Sequence, residues 1–375
     1  MKNKITRVLM IAPENMGYGG VQNVIMQLIR ELGDKGIQFD VVVFGDKIGH
    51  FEQEIEQVGR IYRIPIDKRF SGVKGIVEQL RNERCIYKQL LSICREHGPY
   101  DAIHCQYLFE AAPCLKAARK AGIPIRIAHS HTEQPGAVSL GRRIINHCQR
   151  RIINKNATAK LGVTRGACDF LYGKVADAVV IKNPVIDLKK FDPLSYPDSV
   201  DELSLIQVGQ FEPRKNELFS IDIMHYLKKL CPEAKLTFIG FTGYHLDYVD
   251  QMKKKIEQYE IEDSVVFLPS DTNMPKALSE SLYMLIPSTS EGLPIVALEA
   301  QTMGLHCFIS TNVAMETNQG ISTFLPLDSG AEYWANKIYE FYKANGNHKT
   351  FIDMSHYDHK KVCEEYQKLY VGESC

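Results

Sequence analysis

The chain has 375 residues, more than the ~250–300 at which a single hydrophobic core stops growing, so two domains are expected. Its hydrophobic fraction of 45% and charged fraction of 24% are those of a globular protein and exclude a disordered or collagen-like chain. Net charge is zero but polarised: residues 1–183 hold 28 Lys and Arg against 17 Asp and Glu, or +11, and the rest of the chain carries −11.

A basic first half suits an anionic acceptor or an anionic membrane surface, with drift of surface charge as the plainer reading. Ten cysteines contain no C-x-x-C pair and no zinc-like spacing with His, so they read as reduced thiols of a cytoplasmic protein. After Lys2, Lys4 and Arg7 only residues 8–12 are apolar, fewer than the ~7–15 of a signal sequence. No window approaches the ~18–20 apolar residues of a membrane span, so any membrane contact is expected to be peripheral. Neither a metal, a cofactor nor a nucleic-acid partner is expected.

Short apolar runs alternate with amphipathic stretches, the βαβ rhythm of a parallel sheet. Strands are expected at 8–12, 39–44, 102–104, 125–128, 161–164 and 179–181, with helices at 21–32, 75–97, 109–121 and 142–156. The first strand runs into Gly17, Tyr18, Gly19 and Gly20 just before a helix, where glycines let backbone N–H groups approach an anion. The spacing is not G-x-G-x-x-G, so a tight connection without ligand is the other reading. At the carboxyl end of the strand at 125–128 stand His129, Ser130, His131 and Thr132. Open α/β sheets bind ligands at that edge, and a histidine there can act as a polar contact, acid or base. The plainer reading is a structural histidine.

The helix at 142–156 carries Arg142, Arg143, Arg150, Arg151 and Lys155 with no acid among them. Ile144, Ile145, Cys148, Ile152 and Ile153 mark an apolar side, as in a helix lying in a membrane interface. An ordinary domain helix with its isoleucines in the core is the alternative.

The rhythm restarts beyond a Pro- and Asp-bearing stretch at 182–200 that includes Pro184, Pro193 and Pro197. Strands are expected at 205–208, 236–239, 265–268, 284–286 and 307–309, with helices at 218–230, 247–259, 274–281 and 295–303. Gly209 ends the first of these strands, and Arg214, Lys215 and Asn216 follow before a helix. Two cations there suit a diphosphate, though alone they also read as a solvated basic pair. After the strand at 284–286 come Glu291, Gly292, Leu293 and Pro294, then a helix containing Glu299. Pro294 fits the first turn of that helix, whose free N–H groups and dipole attract phosphate. Glu291 and Glu299 can accept hydrogen bonds from sugar or ribose hydroxyls, or read as a capping carboxylate and an exposed helical Glu. A last amphipathic helix is expected at 357–370 with Val362, Tyr366 and Leu369 on one face.

On these residues the chain resembles the retaining glycosyltransferases of family 4, in the branch that builds bacterial capsular and exopolysaccharides. The likeness rests on Gly19 and Gly20; the segment from Ala128 to His131; Asn183 to Asp187 with Phe191; Gly209 with Lys215 and Asn216; and Glu291 to Pro294 with Glu299 and Ala300. It implies the α/β GT-B fold, two facing Rossmann-like domains with a crevice between them. The domains would be an acceptor-binding domain at 1–183, a nucleotide-sugar donor domain at 184–355 and a helix at 356–375 returning to the first. It implies that Glu299 binds the nucleotide ribose, Glu291 the donor sugar, and Lys215 the diphosphate. Gly292, Leu293 and Pro294 would present backbone to the donor, Gly19 and Gly20 would border the phosphates and acceptor, and His129 or His131 would lie near the transferred sugar.

Three positions depart from the family pattern. Gln210 stands where the family has Arg, and Arg214 is the candidate replacement; Pro184 stands where many members have Gly; and a Gly-x-Gly is spread as Gly240, Phe241, Thr242 and Gly243. The implied reaction is metal-independent, retaining hexosyl transfer from a nucleotide-diphosphate sugar, with UDP the expected nucleotide, to a saccharide or polyprenyl-diphosphate-linked acceptor. The alternatives are a nucleotide-sugar epimerase of the same fold and a non-catalytic nucleotide-sugar-binding partner of a polysaccharide assembly complex.

Overall fold

Leu9 and Ile11 of the first strand face one hydrophobic cluster while Val8 and Met10 face another, so this strand is buried on both sides. That is the setting of a parallel sheet covered by helices, and each such side chain contributes about 1.5–3 kcal/mol by its burial. The computed structural model describes residues 5–17, 19–66, 72–132, 140–175, 177–196, 200, 202–241 and 245–373. Lys2, Lys4, Tyr18, Pro197, Thr242 and Gly243, all named above, lie outside the described residues, as does Cys375, one of the ten cysteines.

The first sheet consists of β1 (Thr6–Ile11), β2 (Ile37–Phe44), β3 (Ile61–Ile64), β4 (Ala102–Cys105), β5 (Ile125–Ser130), β6 (Ala159–Gly162) and β7 (Ala178–Val180). Its order is β3-β2-β1-β4-β5-β6-β7, parallel throughout. Around it run α1 (Gly20–Gly33), α2 (Glu52–Glu56), α3 (Gly72–His97), α4 (Ala111–Ala121), α5 (Leu140–Asn156) and α6 (Arg165–Tyr172).

The second sheet consists of β8 (Ser204–Val208), β9 (Lys235–Phe241), β10 (Val265–Pro269), β11 (Tyr283–Ile286), β12 (His306–Ser310) and β13 (Ser322–Leu325). Its order is β10-β9-β8-β11-β12-β13, again parallel. Its helices are α7 (Glu217–Leu230), α8 (Leu246–Gln258), α9 (Met274–Ser279), α10 (Ile295–Thr302) and α11 (Gly330–Asn345). Both sheets carry the doubly wound 3-2-1-4-5-6 order, which reverses at β1/β4 and at β8/β11 and opens a ligand crevice at each reversal.

Contacts divide the chain into one unit of Met1–Val185 with Tyr357–Cys375 and another of Ile186–His356. The final helix α12 (His359–Val371) belongs to the first unit. Val362, Cys363, Tyr366 and Tyr370 on its inner face join the cluster built from α1 and β1, and the Tyr370 ring meets Phe39 edge-on at 5.8 Å. Asp358 caps α12 by accepting from the N–H groups of Lys360 and Lys361.

The structure corrects two sequence expectations locally. Thr164 is not in a strand: β6 stops at Gly162, and the Thr164 hydroxyl caps α6 by accepting from the Ala167 N–H. The α5 expectation of one apolar side fails. Ile153 is buried and Ile144 is 60% exposed, while Asn146, Gln149 and Asn156 share the inner face with Ile153. The basic residues of α5 divide as well. Arg142 donates to Glu110 and Gln79, and Arg150 to the carbonyls of Leu171 and Phe170, whereas Arg143, Arg151 and Lys155 face solvent.

Candidate active site

In the second unit two loops leave the carboxyl ends of β8 and β11, the strands that flank the order reversal. They are tied together: the Thr289 N–H donates to the Arg214 carbonyl at 2.9 Å, and the Asn216 amide to the Pro287 carbonyl at 3.1 Å. Asn216 adopts a left-handed conformation (φ 60°), which its short polar side chain tolerates. At the floor, Gly240 has φ 128°, and a Cβ there would lie 2.0 Å from the Gly209 carbonyl oxygen. Only glycine fits that approach. A Cβ on Gly209 would in turn press on Cε of Lys215 at 3.2 Å.

These loops gather charge. Glu291 Oε1 accepts from Arg214 at 3.0 Å and also contacts the Lys215 ammonium. Arg214 is shared with Glu212 at 2.6 Å and donates to the Ser290 carbonyl. The second oxygen of Glu291 is buried and has no hydrogen-bond partner among the described residues. Such an atom is costly to leave unmet, and marks a place where a ligand hydroxyl is welcome.

Behind Glu291, Gly292 is half-buried while Leu293 and Pro294 are buried. Pro294 is the N-cap of α10 rather than its first residue, since the Ala297 N–H bonds to the Pro294 carbonyl. The first-turn N–H groups of Ile295 and Val296 thus lack partners within the helix. Inside α10, burial raises the Glu299 carboxyl from its ordinary 4.5 to about 7, against the opposing pull of Lys190.

In the first unit, Gly19 is the N-cap of α1 in extended conformation and Gly20 opens the helix at the carboxyl end of β1. β5 lies two strands away, about 10 Å across the sheet. On it His129 is buried, and the His131 ring stands 4.1 Å from the His129 ring. His131 Nε2 meets Gln106 Oε1 at 2.7 Å, and the Gln106 amide points to the Met10 sulfur at 3.3 Å. His104 of β4 completes the group, 3.2 Å from His129. Burial pushes His104 and His131 down to about 3 and His129 well below its ordinary value, so all three are neutral at pH 7.

The structure therefore joins Gly209, Arg214, Lys215 and Glu291 in one contact set, continues through Gly292, Leu293 and Pro294 to α10 with Glu299, and places His129 and His131 side by side in the other unit. Sequence reasoning did not single out Glu212, Lys190 and Glu217 in the second unit, or His104, Gln106 and Tyr370 in the first. Glu217, at the start of α7, is buried and raised to about 8 by that burial. Its place directly after Asn216 was the available signal. His104 was legible only as a polar residue inside an otherwise apolar strand. Among the described residues no group of three or more His, Cys, Asp or Glu is arranged to hold a metal ion.

Two doubly wound parallel sheets, one with a charged loop pair at its switch point, have the architecture of the GT-B glycosyltransferases. Residues 18–186 match the model of Glycosyltransferase Family 4, and residues 193–344 that of Glycosyl transferases group 1. The chain belongs to this family of glycosyltransferases. It is similar to the putative glycosyltransferase EpsF of Bacillus subtilis (strain 168), 26% identical and covering 94% of this chain and 92% of that one. The capsular polysaccharide biosynthesis glycosyltransferase CapH of Staphylococcus aureus is 23% identical over 96% of this chain and 97% of its own. An Escherichia coli UDP-Gal:alpha-D-GlcNAc-diphosphoundecaprenol alpha-1,3-galactosyltransferase is 24% identical over 78% and 76% of the two chains. Among solved structures, Anabaena HepE in complex with UDP superposes with a TM-score of 0.71 at 15% identity, covering 96% of this chain and 95% of that one.

Proposed function

We propose that this glycosyltransferase moves a hexose, with retention and without a metal ion, from a UDP-sugar to a saccharide or lipid-linked saccharide in capsule or exopolysaccharide assembly. The observation that carries the reading is the convergence of Arg214 and Lys215 on Glu291 beside the start of α10. A donor diphosphate would take over the two cations, and Glu291, so released, would accept from the sugar hydroxyls. Arg214 stands where it can supply the charge absent at Gln210. Glu299 would hold the ribose, and the backbone of Gly292, Leu293 and Pro294 would line the donor. The leaving nucleotide would be stabilised by fixed cations and helix N–H groups, which need no reorganisation during the reaction.

In the first unit, Gly19, Gly20, His129 and His131 would face the acceptor and the transferred sugar. The UDP complex of HepE and the diphosphoundecaprenol-linked substrate named for the E. coli relative support the donor and acceptor classes. The solvent-facing Arg143, Arg151 and Lys155 of α5 give the first unit a cationic face for an anionic leaflet that carries such an acceptor. Among the described residues no helix is long and apolar enough to cross a membrane.

The test is a panel of nucleotide sugars, each with and without saccharide acceptors and with EDTA present. Acceptor-dependent release of UDP, with the product keeping the donor's anomeric configuration, is expected. Conversion of a nucleotide sugar without acceptor would make the protein an epimerase. Binding without turnover would make it a non-catalytic partner.

A further inference from the structure

Tyr370 lies near the end of α12 and is fully buried. Its hydroxyl is 2.7 Å from Nδ1 of His104, and Nε2 of His104 is 3.2 Å from Nδ1 of His129. The chain of contacts ends there: Nε2 of His129 is buried with no hydrogen-bond partner among the described residues. The two imidazoles are stacked, with centroids 5.3 Å apart and planes 9° from parallel, and the Tyr366 ring lies about 6 Å from both.

A neutral imidazole has one N–H and one bare nitrogen, so the chain can run in only two directions. In the first, Tyr370 donates to His104 Nδ1, His104 Nε2–H donates to His129 Nδ1, and the proton of His129 sits on Nε2. In the second, every bond reverses and His129 Nε2 is bare. The reversed chain leaves the Tyr370 proton without an acceptor, because no other acceptor meets that hydroxyl among the described residues. Either direction leaves one buried donor unmet, the Tyr370 O–H or the His129 Nε2–H. A phenol O–H is a stronger donor than an imidazole N–H, and an imidazole nitrogen a stronger acceptor than a phenolic oxygen, so the first direction prevails. Burial keeps both rings neutral, which holds the chain to one proton per ring.

We propose that Tyr370 is a positioning residue that, through His104, fixes His129 as the Nε2–H tautomer, so that His129 offers a hydrogen-bond donor to a hydroxyl oxygen of the sugar substrate at the carboxyl end of β5. This role rests on the reading of His129 as part of the substrate site. It gives the C-terminal helix a second task besides packing. The residue that sets the polarity of β5's histidine lies more than 200 positions further along the chain. Which ring nitrogen of a histidine bears the proton is governed by the bond its other nitrogen makes, and here that bond is two residues deep.

Selective 15N-histidine labelling of the full chain tests the proposal, with the His129 signal assigned by its loss in His129→Gln. The wild type should show His129 protonated at Nε2. Tyr370→Phe keeps the ring but removes the donor, and should give a mixture of tautomers with only a modest loss of thermal stability. His104→Gln offers an acceptor to Tyr370 and a donor to His129, so it should retain the Nε2–H form. A His129 protonated at Nδ1 in the wild type, or a tautomer that Tyr370→Phe leaves untouched, would overturn the proposal. With the donor and acceptor found by the panel above, Tyr370→Phe should lower kcat about two- to tenfold with donor KM little changed, and His104→Gln should restore most of it. Unchanged kcat in a variant whose tautomer is released would remove the positioning role. A protein that turns over no nucleotide sugar, yet keeps the Nε2–H form, would defeat the transferase reading and the role given to His129, leaving the tautomer lock alone standing.

Discussion

Lys215 and Arg214 meet the same carboxylate oxygen but differ in setting, since the Lys215 side chain is 16% exposed and that of Arg214 is 48% exposed. A cation withdrawn from solvent interacts more strongly with a bound diphosphate. Lys215→Ala should therefore reduce turnover more than Arg214→Ala, by roughly 10²-fold against a smaller loss, measured as kcat on the purified variants. The reverse order would show that Arg214 has taken the main role left open at Gln210. Glu299 adds a pH signature. Its carboxyl is raised from 4.5 to about 7 by burial, so the folded protein favours the protonated form. Stability from this group is full below pH 4.5 and is lost as pH rises through 7. Ribose hydroxyls donate to the carboxylate, so UDP affinity should rise as pH passes upward through about 7. Glu299→Gln should flatten both trends, read by calorimetry and thermal melts between pH 5.5 and 8.5. A wild-type affinity flat over that range would contradict the assignment.

The elements with regular apolar periodicity were legible from sequence to within one to three residues at most ends. The central strands β1, β2, β8 and β9 are largely buried and read, at 8–12, 39–44, 205–208 and 236–239, as apolar runs interrupted only by Asp40, Gln207 and Thr237. The strands that escaped notice, β3 and β13, lie at sheet edges, have only four residues each, and are mostly half-buried. α6 is short and carries Gly166, Cys168 and Asp169, all modest or poor helix formers. α11 is rich in Tyr, Trp and Phe, although its buried Ala331, Trp334, Ala335 and Ile338 keep helical spacing. At the loop floor, Gly240→Ala should cost about 2–4 kcal/mol, since a Cβ meets the Gly209 carbonyl at 2.0 Å and the backbone is left-handed. Differential scanning of the variant checks this, and a melting temperature equal to the wild type's would contradict it. Arg150 serves backbone carbonyls, so its replacement would perturb the fold rather than report on docking. Arg143→Glu with Arg151→Glu should weaken co-sedimentation with anionic vesicles at low salt, each charge contributing ~1 kcal/mol. Binding that ignores lipid charge or these two changes would rule the docking out.

At the scale of the molecule, two sheets of the same doubly wound order carry different chemistry at the same edge. In the first unit the β4–β5 part of that edge is made of His104, His129, His131 and Gln106, beside a glycine helix start. In the second it is charged, made of Arg214, Lys215, Glu212 and Glu291. The charged loop pair was legible because its residues are close in sequence within two loops. The histidine chain was not, because it draws His104, His129 and Tyr370 from three distant elements, and nothing local in the sequence marks their juxtaposition. In the proposed site the charged loop pair and α10 together hold the donor nucleotide, the cations on its diphosphate and Glu299 on its ribose. Calorimetric titration of UDP into the wild type and Glu299→Ala tests it most directly. Loss of a buried hydrogen-bonded partner costs about 1–3 kcal/mol, so the account predicts affinity lower by about 5- to 150-fold in a variant that still melts like the wild type. UDP binding of equal strength in both proteins would contradict it.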